Sequence, residues 1–90
     1  MDYLDSIRSG IEALYKTNPN VHINVKLARP KVILEDVSVV IVGVYRNIFQ
    51  VEGKDGGRPT RYTFQYGDVL IGHVVIRELD YDMPARIVKK

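Results

Sequence analysis

At Asn18-Pro19-Asn20 the spacing of apolar residues in this 90-residue chain changes from helical to extended, and that switch constrains the fold more than any other feature. Before it, Leu4, Ile7, Ile11 and Leu14 recur every three or four residues, which predicts one amphipathic helix over 2–16. Asp2 or Asp5 can cap its start. Gly10 falls inside the stripe and weakens the helix by about 1 kcal/mol relative to alanine, so the helix depends on docking against the rest of the chain. The residue before a proline avoids helical angles, so the helix stops at Asn18.

Beyond the switch, Val21, Ile23, Val25 and Leu27 alternate with His22, Asn24, Lys26 and Ala28, the rhythm of a strand with one buried face. Pro30 interrupts the ladder, and a long β-rich run continues to Tyr45. Its centre is apolar on both sides, with Val39, Ile41 and Gly43 on one and Val40, Val42 and Val44 on the other. One side belongs to a barrel interior, and the other needs a cover. The N-terminal helix is the obvious cover. A partner subunit is the alternative, which makes Val40, Val42 and Val44 a candidate self-association strand.

Residues 48–52 and 61–66 read as a hairpin around 53–58, with Asp55-Gly56 supplying left-handed turn geometry. Residues 67–70 read as a tight turn capped by Asp68, 73–79 as a last strand, and 80–90 as a tail without a clear period. The expected architecture is one mainly β domain, an N-terminal helix followed by a small, partly open, five-stranded SH3-like barrel over 21–79. An OB-like barrel is the runner-up.

Chemistry is sparse. There is no cysteine, and the two histidines, His22 and His73, have no metal-ligand spacing. No nucleophile motif such as G-x-S-x-G occurs, and GKDGGR at 53–58 matches no phosphate-binding loop. A non-enzymatic chain without cofactor, metal or small-molecule substrate is therefore expected. The longest apolar run, 37–45, is half of the roughly 20 residues of a membrane-spanning helix, and the absence of cysteine suits a reducing compartment, so the expected location is the cytoplasm.

The net charge is only +2, so the placement of basic residues matters more than their total. Lys26, Arg29, Lys31, Arg46, Arg58 and Arg61 are the candidate contacts for nucleic acid or a protein partner. Small barrels bind nucleic acid when such charges alternate with exposed rings. Tyr62, Phe64 and Tyr66, however, share one face of a strand and are more often a core stripe.

The segments SVVIVGVYRNIFQVE and RYTFQYGDVLIGHVVI, at 38–52 and 61–76, resemble the Veg family of small bacterial proteins. Tyr45 with Phe49 matches that family's Tyr-x-x-x-Phe turn between two strands. Phe64-Gln65-Tyr66-Gly67-Asp68-Val69-Leu70 matches its Tyr-x-Tyr-x-Asp-Val-Leu segment, with Phe for the first tyrosine. The resemblance implies an SH3-like barrel behind an N-terminal helix and a regulatory role, since the family is described as stimulators of biofilm formation acting on transcriptional control in Gram-positive bacteria. The chain departs from the family after the first strand, where Leu27-Ala28-Arg29-Pro30-Lys31 replaces a denser basic stretch. Fewer charges mean fewer phosphate contacts, which shifts the expectation from direct DNA binding toward contact with another protein, a transcriptional regulator or a second copy.

Overall fold

The computed structural model describes residues 3–29 and 31–79, so Asp2 and the tail 80–90 lie outside the described residues. The elements in chain order are α1 (Tyr3–Thr17), β1 (Asn20–Ala28), β2 (Lys31–Val44), β3 (Ile48–Asp55), β4 (Arg58–Gln65), α2 (Tyr66–Leu70) and β5 (Val74–Ile76). All neighbouring strands are antiparallel, in the order β4-β3-β2-β1-β5. The long β2 serves both halves of the sheet, pairing with β1 from Lys31 to Val40 and with β3 from Val40 to Val44. With a helical turn between the fourth and fifth strands, this is the partly open SH3-like arrangement.

The helix forms where the apolar stripe placed it, and Ile7 and Ile11 are completely buried. Gly10 lets it approach closely: a Cβ there would lie 2.7 Å from Cδ1 of Leu79. The docking that the glycine requires is supplied by α2, β2 and this last described residue. No helix among the described residues is long and apolar enough to cross a membrane.

Two irregularities in β2 shape the barrel. Ile23 pairs with Val37 and Val25 with Leu34, so Glu35 and Asp36 together face Asn24. This is a β-bulge, and Asp36 takes a φ of 51°. Oδ1 of Asn24 accepts its N–H at 2.9 Å, and Nη2 of Arg77 sits 3.4 Å from its carboxylate. Further on, Ile41 pairs with Val51 and Gly43 with Gln50, leaving Val42 as the extra residue.

The structure departs from the periodicity in three places. The β3–β4 hairpin is longer than expected, because Asp55 pairs with Arg58 and the turn is only Gly56-Gly57, with φ of 60° and 86°. Two successive positive-φ residues match the twist of the flanking strands, so the ladder extends to the tip. Asp68 sits inside α2 rather than before it, and its Oδ2 accepts the backbone N–H of Gln65 at 3.3 Å, the reciprocal half of a capping box. The last strand is three residues long because Glu78 turns back onto β1. Its Oε1 accepts the His22 backbone N–H at 2.8 Å, and its Oε2 lies 2.7 Å from Nδ1 of the His22 ring.

The aromatic stripe divides between core and rim. Phe64 and Tyr66 are buried against Phe49, with ring centroids 5.8 and 5.6 Å away, while Tyr62 is half-buried and stacks on Phe64. The Tyr66 hydroxyl donates to the carbonyls of Tyr45 and of Ile48, the latter at 2.9 Å, and so ties down the turn between β2 and β3.

Candidate functional site

Helix α1 packs into the core beside α2 and leaves the outer side of β2 uncovered at Val40, which is 38% exposed. Val40 and Val42 line an open groove of about 700 Å3 where β2 and β3 diverge, with Val37, Gly53, Pro59 and the edge of the buried Val39 completing its apolar surface. Glu52 and Lys54 stand at its sides. Val44, expected on this same face, does not belong to it. The extra residue at Val42 reverses the alternation, so Val44 lies opposite the fully buried Phe49 and packs against the core. Of the three valines, two therefore remain available to a partner.

The six basic candidates separate into three places. Lys26, Arg29 and Lys31 gather at the end of the β1–β2 hairpin, where Lys26 pairs across to Ile33 and Ala28 to Lys31. All three side chains are exposed, and they form no ion pair among the described residues. Arg46 lies in the turn after the other end of β2. Arg58 and Arg61 belong to β4, and Arg61 is already neutralised by Glu52 at 3.1 Å. The exposed Tyr45 neighbours Arg46, far along β2 from the hairpin charges, so rings and cations do not form one continuous groove.

Sequence reasoning missed Arg8, because a basic residue beside a buried isoleucine on an amphipathic helix reads as an ordinary solvated flank. It lines a cleft with Arg46, Asn47 and Gln65, which only the docking of α1 brings together. It also missed Gly53, Lys54 and Pro59, whose part in the groove follows from the divergence of β3 from β2.

Among the described residues no three His, Asp or Glu side chains converge as a metal site. One acid is tuned by its surroundings. Burial alone would raise the Glu78 carboxyl, but the hydrogen bonds from the His22 ring and backbone outweigh it and hold the group below its ordinary value. The pair clamps the last turn to β1 at the surface. No protein-family model matches the sequence, and no match was found among curated proteins or solved structures.

Proposed function

We propose that this chain is a non-enzymatic regulatory binding domain of the Veg type, working in the cytoplasm on transcriptional control by contact with another protein. The observation that carries the reading is the uncovered apolar groove at Val40 and Val42, flanked by one acidic and one basic side chain. An apolar centre with a charged rim is the composition of a protein-contact surface. The resemblance at 38–52 and 61–76 supplies the regulatory context. When the partner is a second copy, the same two valines form the contact.

The test pairs affinity capture with sedimentation, using the wild-type chain and Val40→Glu/Val42→Glu. Both substitutions fall on the sheet's outer side, so a matching thermal melt verifies that the variant folds. The expected result is a partner, or a dimer, retained by the wild type and lost by the variant. Equal retention by both, or a wild-type monomer that repeatedly captures nothing, would refute the reading.

A second reading, nucleic-acid binding, is favoured by one observation, the cluster of Lys26, Arg29 and Lys31 on the β1–β2 hairpin. Three phosphate contacts would give a log–log salt dependence with a slope of about −3 for duplex DNA. No binding at low salt, or a slope unchanged in Lys26→Met/Lys31→Met, removes this reading.

A further inference from the structure

Between the first turns of α1, the β2–β3 turn and the start of α2 lies a half-open cleft of about 490 Å3. Small-molecule sites commonly enclose about 300–1,000 Å3. Its apolar wall is Leu4, Ile48 and the Tyr66 ring, and its cationic groups are Arg8 and Arg46. Arg8 spends one donor on Asp5 at 3.2 Å, which leaves the rest of its guanidinium fork for another acceptor. Arg46 makes no ion pair among the described residues. At Gly67 the open volume reaches the backbone, since a Cβ there would meet nothing within 4 Å among the described residues.

These groups are held in place from behind. The Tyr66 hydroxyl bonds both sides of the turn that bears Arg46, and the Tyr45 N–H donates to the Ile48 carbonyl at 2.9 Å across it. Among the described lining residues, two guanidinium groups against the carboxylate of Asp5 leave a net positive charge. Guanidinium forks match the two oxygens of a carboxylate or phosphate, and a turn already fixed loses less freedom on binding.

We propose that this cleft binds a small organic oxyanion, its phosphate or carboxylate held between Arg8 and Arg46 and its apolar body laid against Leu4, Ile48 and Tyr66. The site goes beyond the partner-contact reading and does not depend on it, because cleft and groove share no lining residue.

The test is an NMR titration of the 15N-labelled full chain at low ionic strength, to about 10 mM of each probe, a range that detects weak millimolar binding. The probes are phenyl phosphate, benzoate, inorganic phosphate and phenol. Phenyl phosphate or benzoate should shift the amides of Asn47 and Gly67, the stronger of the two identifying the oxyanion, with inorganic phosphate and phenol each weaker. Arg46→Met, an exposed position that leaves the fold intact, and Arg8→Met should each weaken binding about tenfold or more, the worth of one lost charge-assisted pair. Lys16→Met, in the last turn of α1 and outside the cleft's lining, should leave it unchanged. The proposal is overturned if neither ring-bearing oxyanion shifts these amides, if phenol or inorganic phosphate binds as tightly, if both arginine variants bind like the wild type, or if the shifts fall on the β1–β2 hairpin instead.

Discussion

Replacing Tyr66 with phenylalanine removes a single oxygen, and the cost can be worked from its neighbours. The ring keeps its place 5.6 Å from Phe49, so the apolar contribution is unchanged. The Ile48 carbonyl keeps a donor, the Tyr45 N–H at 2.9 Å, whereas the Tyr45 carbonyl loses the hydroxyl. One net hydrogen bond is worth about 1 kcal/mol, and leaving a carbonyl poorly solvated adds about another, so Tyr66→Phe should cost about 1–2 kcal/mol. For a domain of this size that lowers the melting temperature by about 4–16 °C. Tyr66→Ala, which also empties the ring's site, should cost about 3–5 kcal/mol.

The same hydroxyl gives an internal control. Burial pushes its pKa above the ordinary 10.0, opposed by the nearby Arg8 charge. Folding therefore favours the protonated phenol, a contribution fully present below pH 10.0 and lost as pH rises through the folded value. Urea denaturation at neutral and alkaline pH reads both effects, and Tyr66→Phe should flatten the alkaline decline. A phenylalanine variant as stable as the wild type at neutral pH, or as unstable as the alanine variant, would refute the assignment of this hydroxyl as a tie across the turn.

Other expectations are more local. Ile11→Ala, at a completely buried position of α1, should destabilise by about 2–5 kcal/mol in urea titrations. Gly57→Ala, at a φ of 86°, should cost about 1–2 kcal/mol, while Gly56→Asn creates a favoured Asn-Gly turn and should be neutral or stabilising in the same assay. Because the Glu78 pKa is depressed, its contribution is present above its ordinary 4.5 and lost as pH falls through the folded value. Glu78→Gln should therefore lower the urea midpoint at neutral pH and shrink the difference from wild type in acid.

The parts of the fold written in short-range periodicity were legible in the sequence. Ile7 and Ile11 marked the buried side of α1, and Val21, Ile23 and Val25 that of β1, because each repeat reports one element against one core. What escaped depends on the partner strand. Nothing in the run around Val42 signals that β3 opposes two of its residues with one, so strict alternation puts Val44 on the wrong face. The length of the hairpin escapes for a related reason: Pro59 and two glycines suggest a loop, yet Pro59 sits on edge strand β4, where its missing N–H is tolerated. The basic residues were visible individually, but their separation into three places, and the meeting of Arg8 with Arg46, follow from topology and helix docking.

The bulge at Asp36 bears on how the molecule behaves among its own copies. Because β3 joins β2 only from Val40, the earlier part of β2 turns one row of backbone amides and carbonyls toward no other strand among the described residues. An open row beside a segment as apolar and β-branched as VSVVIVGV is a template for cross-β growth. The left-handed residue, pinned by Asn24 and Arg77 and preceded by Glu35, breaks that row into two short stretches and places two carboxylates between them. An incoming strand would find no continuous register to extend, which is the effect expected of a gatekeeper against fibre formation.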